Sequence, residues 1–350
     1  MSAESLEVRH AAEADDVNWD GYVRGHPLGT IFHLSGWGRA VRDAFGAIRR
    51  DLVALDGDEV VGVLPLAACR RVYKPRTWIS APWGVYGDPL GDQPEVVRAL
   101  VDAALERARK DGVPRLELRC REDPGLEDLI ASDLYSTYTK ALPSDPDEVM
   151  SGYKKNEQQY IRQAEERHGL RIEEGSRFRG VLQRLFLSSK RSLGSPGLSR
   201  AWWDALEEHL GEEYTIHAAL KGEEVVAVTL TFHHSDEAAM FYIGTTPGAN
   251  REYQATKFMI AKCCEWAVRE GYRSFDLGRS RQDTGAAAFK MHQGFEPSPL
   301  YYRYALLGDA AEVPRFNPSN PKTDLARKLW SKMPLWACDL LTAQLGRYLA

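Results

Sequence analysis

The stretch VALDGDEVVGVL (53–64) recurs in altered form as AALKGEEVVAVTL (218–230). Gly57, Glu59, Val60 and Val61 match Gly222, Glu224, Val225 and Val226 at an offset of 165 residues. Each copy reads as a glycine turn leading into a β-branched apolar run, which is a hairpin entering a buried strand. The echo extends upstream. LSGWGRAVRDAFG (34–46) resembles LSRAWWDALEEHLG (198–211), with Ser35, Trp37 and Ala40 against Ser199, Trp202 and Ala205. It also extends downstream, where LERARKDGVPRLELR (105–119) resembles CEWAVREGYRSFDLG (264–278) at an offset of 159. There an apolar-striped helix ends at a glycine and a strand follows. Blocks matched in one order predict a tandem duplication of a single α/β unit.

Composition permits two such units. The chain has 350 residues, 43% hydrophobic and 27% charged, with net charge -5. That excludes wholesale disorder, collagen-like repeats and a coiled-coil rod. No run approaches the ~18 apolar residues of a membrane span. Met1 to His10 is polar and acidic, unlike a signal peptide, so a cytoplasmic location is expected. The five cysteines are scattered without a CxxC pair and read as buried reduced thiols. No histidine spacing suggests a metal; His233 and His234 fall on opposite faces of a strand.

Within each copy the order is helix, hairpin, irregular strand, long helix, strand. The irregular strands are TWISAPWGVYG (77–87) and AMFYIGTTPG (239–248). The expected class is α+β, with mixed sheets flanked by helices. No GxGxxG opens a helix after a first strand, and GxxxxGK[ST] is absent, so those nucleotide sites are unsupported. The expected boundaries are 1–142 for the first unit, 143–310 for the second and 311–350 for an amphipathic helical tail. Pro143 and Pro146 mark the linker, and VPRFNPSNPK (313–322) announces the tail. From Arg315 onward six basic residues face two acidic ones. Leu325, Leu329, Trp330 and Met333 recur at helical spacing, and Pro334 breaks the helix. This tail either packs on the core or lies on an anionic membrane surface.

The second copy ends in AAAFKMHQGFEPSPLYYRYALL (286–307), an Ala-rich helix, then Gly-Phe, then an aromatic strand. This resembles the end of the GNAT acetyltransferase fold, in which a tyrosine usually precedes that glycine by four residues. Lys290 stands there instead. Two such units with Phe289-Lys290 before Gly294-Phe295 resemble the FemAB family. DLGRSRQDTGAAAFKMHQGFEP (276–297), SLGSPGLSRAWWDAL (192–206) and SAPWGVYGDP (80–89) resemble its subgroup associated with PEP-CTERM sorting and exopolysaccharide loci. The resemblance implies amide formation. Characterised FemAB proteins move an amino acid from aminoacyl-tRNA to an amine of a peptidoglycan precursor. Nothing tightly bound is implied; the acyl donor, whether aminoacyl-tRNA, acyl-CoA or another, is a co-substrate. The acceptor would be a small or lipid-linked envelope precursor, with the second unit catalytic and the first a binding scaffold. Two departures stand out. The helical arm of the tRNA-dependent enzymes is missing. The nearest stretch to a coenzyme A pyrophosphate loop, Arg251 to Thr256, lacks its glycine. A non-catalytic scaffold for lipid-linked intermediates is the alternative from a different class.

The resemblance makes Lys290 and Phe289 the donor-side pair, and a fixed ammonium at Lys290 could stabilise an oxyanion. Asp276, at a strand end, is read either as a base for the attacking amine or as a partner of Arg279. Residues 175–203 contain no acid but carry Arg177, Arg179, Arg184, Lys190, Arg191 and Arg200. That run reads as a phosphate-binding face, with Lys190 and Arg191 the best candidates, or as a solvated basic face. On the polar helix 154–169, Tyr160, Ile161 and Ala164 are expected to form the buried stripe. The resemblance puts Tyr160 and Arg162 beside the acceptor groove. Tyr242, Arg251 and Arg279 complete the expected substrate-binding set.

Overall fold

A computed structural model describes residues 6–72, 74–308, 313 and 321–349. Most of the segment expected to announce the tail therefore lies outside the described residues. The first half holds β1 (Leu6–His10), α1 (Asp16–Gly25), α2 (Ser35–Phe45), β2 (Ile48–Arg49), β3 (Leu52–Asp56), β4 (Glu59–Leu64) and β5 (Leu66–Arg71). It continues with β6 (Lys74–Ser80), β7 (Leu90–Gly91), α3 (Pro94–Lys110), β8 (Arg115–Cys120), β9 (Ile130–Ser132) and β10 (Tyr135–Ala141). The second half holds α4 (Lys155–Glu166), β11 (Leu170–Glu174), α5 (Arg179–Ser192), α6 (Arg200–Leu210), β12 (Tyr214–Lys221), β13 (Glu224–His234) and β14 (Glu237–Thr245). Then come α7 (Ala249–Tyr253), α8 (Ala255–Arg269), β15 (Ser274–Asp276), β16 (Ser280–Arg281), α9 (Gly285–His292), β17 (Glu296–Pro299) and β18 (Tyr301–Leu306). The tail is α10 (Pro321–Lys332) and α11 (Leu335–Leu345).

The duplication is visible strand by strand. In the second unit the order is β11-β12-β13-β14-β15-β10-β16, with β17 also on β10. In the first, β1-β3-β4 lead to β5-β6-β8-β18-β9. The hairpins β3–β4 and β12–β13 turn at Gly57 (φ +62) and Gly222 (φ +59), left-handed positions that explain the repeated glycine. One difference has a simple cause. The counterpart of the single strand β13 is broken into β4 and β5 at Pro65, which has no N–H for a ladder. The first unit consequently shows two sheets where the second shows one.

The last strand of each unit sits in the other unit's sheet. β10, which precedes the linker, pairs antiparallel with β15, with Thr139 opposite Asp276. β18, from the aromatic run at the end of the second copy, pairs with β8, with Tyr304 opposite Glu117. The matched helices meet as well. Trp37 of α2 and Trp202 of α6 are both buried and touch edge to face at 5.2 Å. Phe45 of α2 stacks on Trp202 at 5.1 Å. A Cβ on Gly36 would fall 2.5 Å from the His209 carbonyl, so only glycine allows this approach. One apolar cluster runs from Trp19 through Trp37 to Trp202 and Tyr242, shared by both units. All five cysteines are buried and free. Among the described residues no helix is long and apolar enough to cross a membrane.

Truncating Trp202 to alanine should cost about 3–5 kcal/mol, because the indole fills the contact between units. Thermal unfolding of that variant should remain one transition, since the units share a core. A chain ending at Leu142 should not fold: its β8 would lack β18, and its β10 would have no sheet to join. A native near-ultraviolet circular dichroism spectrum from that fragment would contradict the strand exchange.

Candidate active site

The second sheet opens where β15 stops. β14 and β15 run parallel for three residue pairs only, Glu237 with Ser274 through Ala239 with Asp276. The chain then turns at Gly278 (φ +67), while β14 continues to Thr245. A wedge is left between Met240–Thr245 and the segment after Asp276. Helix α9 is held against this segment. Thr284 caps its start by accepting from the Ala287 N–H at 3.3 Å. Phe289 is half-buried against the core. Lys290 reaches back, donating to the carbonyls of Gly278 at 2.8 Å and Arg279 at 3.3 Å. Its ammonium lies 5.1 Å from the Tyr138 ring. Burial pushes the Lys290 pKa down to about 8, against the opposing pull of Asp276.

Asp276 is buried and fully engaged. The Tyr86 hydroxyl donates to Oδ2 at 2.6 Å. Oδ1 accepts from the Gly278 N–H at 2.7 Å and from the Thr137 hydroxyl at 3.0 Å. Tyr86 comes from the first unit and Thr137 from the exchanged strand β10, so both units assemble this carboxylate's shell. Asp276 makes no ion pair with Arg279, contrary to one reading of the sequence. Arg279 instead donates to the Tyr302 hydroxyl at 2.7 Å and lies 4.9 Å from the Tyr135 ring. The exchanged aromatic strands draw it away from the carboxylate.

Tyr86 also faces a cavity of about 310 Å³ between the units. Arg121 lies over its ring at 4.9 Å and grips Glu237 with both terminal nitrogens, at 3.0 and 2.6 Å. Burial and the Asp276 charge raise the pKa of Glu237, and Arg121 opposes them. Burial and Asp276 likewise hold the Tyr86 phenol well above its ordinary value. His234 and Phe32 contribute to the wall from opposite units. Sequence reasoning assigned no role to Tyr86, Thr137, Arg121 or Glu237. Tyr86 lies within the quoted SAPWGVYGDP; the other three carry no local signal.

The remaining expected residues divide into separate places. Arg191 and Arg251 both line an open cleft of about 670 Å³ at the far end of β14, with Ser188, Ser189 and Thr246. Lys190, one residue away, is half-buried beside Phe186 at 5.2 Å, and its pKa is lowered by desolvation. The rest of the acid-free run is less free than the sequence suggests. Arg177 pairs with Glu173, and Arg179 and Arg200 with Asp204, acids that lie outside the run in sequence but beside it in space. Tyr242 is a core residue, buried between Phe186 and Trp203, with its hydroxyl accepting from Trp202 Nε1 at 3.1 Å. On α4, Ile161 and Ala164 are buried as expected, but Tyr160 is outward, with Lys257 over its ring at 4.1 Å. Its place in the buried stripe is taken by Glu157, held by Lys257 at 3.0 Å and Gln293 at 2.6 Å. Arg162 is exposed and touches only Gln158 among the described contacts. At the start of α8, the Thr256 N–H donates to the Asn250 side chain at 2.9 Å. That first-turn donor is therefore occupied by the protein itself.

Residues 151–291 match the acetyltransferase (GNAT) domain family. A search among curated proteins returned no match. Several solved structures share the fold. FemX superposes with a TM-score of 0.67 at 14% identity, covering 85% of this chain and 96% of its own. The C-terminal domain of a putative lysylphosphatidylglycerol synthetase from Agrobacterium fabrum gives 0.55 at 18%, covering 84% and 92%. A tandem GNAT protein from the clavulanic acid biosynthesis pathway gives 0.52 at 16%, covering 87% and 100%. The superposition extends along nearly the whole of each of these chains. The second unit thus carries the region that matches an acyltransferase domain of the GNAT type, within a tandem fold shared with these structures.

The Lys290 pKa is measurable without a substrate. Reductive 13C-methylation should give one lysine resonance titrating near pH 8, and Lys290→Arg should remove it. A folded-state value below the ordinary 10.5 means the buried ammonium is penalised below about pH 8. The penalty is relieved as pH rises from 8 towards 10.5, so this group adds stability over that window. Lys290→Ala should remove the same pH dependence from the unfolding midpoint. Uniform titration of all lysines above pH 10 would refute the desolvated placement.

Proposed function

We propose that this chain is a FemAB-like N-acyltransferase that joins an acyl or aminoacyl group to an amine of a cell-envelope or exopolysaccharide precursor. The observation that carries the reading is Lys290, a buried ammonium fixed by the carbonyls of Gly278 and Arg279 just past the end of the β14–β15 pairing. In the reaction the amine attacks the carbonyl carbon of the donor. A C–N bond forms, and the bond from that carbon to the donor's oxygen or sulfur breaks. Negative charge grows on the carbonyl oxygen before the leaving group departs. A positioned ammonium stabilises that charge, an effect of about 3 kcal/mol for a comparable donor. The attacking amine must lose a proton. Asp276 is buried and accepts from Tyr86, Thr137 and the Gly278 N–H, so its role is to hold Tyr86 and the Gly278 turn. For an amine entering the cavity between the units, Glu237, its pKa raised by burial and Asp276 and opposed by Arg121, is the acceptor for that proton. Phe289 walls the donor side. The cleft carrying Arg191 and Arg251 suits a phosphate-bearing part of one substrate.

Membership of the PEP-CTERM-associated subgroup rests on the quoted sequence stretches. Acyl-CoA is a second donor reading, favoured by the GNAT domain match. Against it stand the missing glycine and the Asn250 cap on α8. Purified protein should be offered radiolabelled acyl-CoA and aminoacyl-tRNA in parallel, with amino-sugar and peptide amines as acceptors. Amide product from one donor is expected, falling at least a hundredfold in Lys290→Ala with the unfolding temperature maintained. Unchanged turnover in that variant would return Lys290 to a structural role. Turnover of acyl-CoA alone would replace the aminoacyl reading.

A further inference from the structure

We propose that the C-terminal helical hairpin is a docking surface for an anionic phospholipid bilayer. The hairpin lies outside the matched acetyltransferase domain and takes no part in the wedge. One face of it is tied to the protein. Cys338, Thr342 and Gly346, spaced four apart on α11 and the turn after it, are buried. Thr342 Oγ accepts from the Gly197 N–H at 3.3 Å, and the Met333 carbonyl accepts from Arg191 at 3.3 Å. Arg327 packs on Gly194, leaving no room there for a Cβ. The hairpin is therefore held in place on α5 rather than trailing from it.

The other face is apolar and uncovered. Leu325 and Leu329 are 65% and 59% exposed, one turn apart on α10. Trp336 and Leu340 are 72% and 62% exposed, one turn apart on α11 and turned away from Cys338. Eight of the sixteen exposed large apolar side chains described in the molecule lie in this short segment. Scattered single residues of this kind are ordinary on a soluble surface; such a concentration marks an interaction site.

Charge selects the occupant. The chain carries -5 overall, yet from residue 321 onward five basic residues face two acidic ones. Lys328 and Lys332 are exposed among the leucines. A groove of about 360 Å³ runs beneath Trp336, with Leu187, Leu198 and Trp203 along it and Arg184 and Arg200 at its side. Asp339 is the one carboxylate among its lining residues. Leucines to enter the acyl boundary, tryptophan for the headgroup level and cations for lipid phosphate are the parts of an interfacial anchor. Arg200 also pairs with Asp204, whereas Arg184 has no acidic partner among the described residues.

Flotation of the full chain tests this directly, using vesicles of phosphatidylcholine with and without phosphatidylglycerol. Binding to the anionic vesicles only, weakened by added salt, is expected. Leu329→Glu with Leu340→Glu should lower the bound fraction by roughly tenfold or more, since both apolar contacts are lost. Both positions are exposed, so the unfolding temperature should not move, and retained acyl transfer to a soluble acceptor would leave the catalytic reading separate. Failure of the wild type to float, or flotation unaffected by the double substitution, overturns the proposal. A dimer in light scattering that the same substitutions dissolve, without vesicle binding, would make this face a contact between two copies and overturn it equally.

Discussion

The exchange of β10 and β18 is the constraint from which the rest of the molecule follows. Each of the two larger sheets has a gap beside its parallel strand, β8 or β15, and each gap is filled by a strand from the other half of the chain. A buried strand edge without a partner leaves N–H and C=O groups unsatisfied, which costs far more than the connection that avoids it. Neither half can meet that demand alone. The shared apolar cluster around Trp37 and Trp202 then has no natural plane of division, because the backbone already crosses it twice.

The same crossing builds the chemistry. Asp276 ends a strand of the second unit, but its hydroxyl partners are Tyr86 from the first and Thr137 from the exchanged strand. Arg279 is drawn off by Tyr302 and Tyr135, which stand on the two exchanged strands or beside them. The cavity with Arg121 and Glu237 is likewise half one unit and half the other. The site is therefore a property of the pair. A single GNAT-like unit with this sequence would keep Lys290 on its helix but lose the carboxylate's surroundings.

Some of this was written locally in the chain. The hairpin glycines, the matched tryptophans and the helix-ending glycines are local rules, and such rules repeat when a unit is duplicated. They gave the α+β units, the tandem arrangement and the matching strand order. The Phe-Lys pair before Gly-Phe pointed to Lys290 through resemblance. What it could not supply is the depressed pKa, which comes from burial of the ammonium where α9 packs on the turn at Gly278.

Tertiary structure alone decided the destinations. β10 and β18 carry ordinary strand patterns, and alternation of side chains says which residues face a core but not whose core it is. The basic run 175–203 looked unpaired because Glu173 and Asp204 lie just outside it, and charge pairing follows distance in space. Tyr242 looked available and is core; Tyr160 looked buried and faces outward, because Lys257 and Glu157 hold that turn of α4. Periodicity determined which elements form. Hydrogen-bond completion across the two sheets determined where they sit, and so which residues stand beside Asp276 and Lys290.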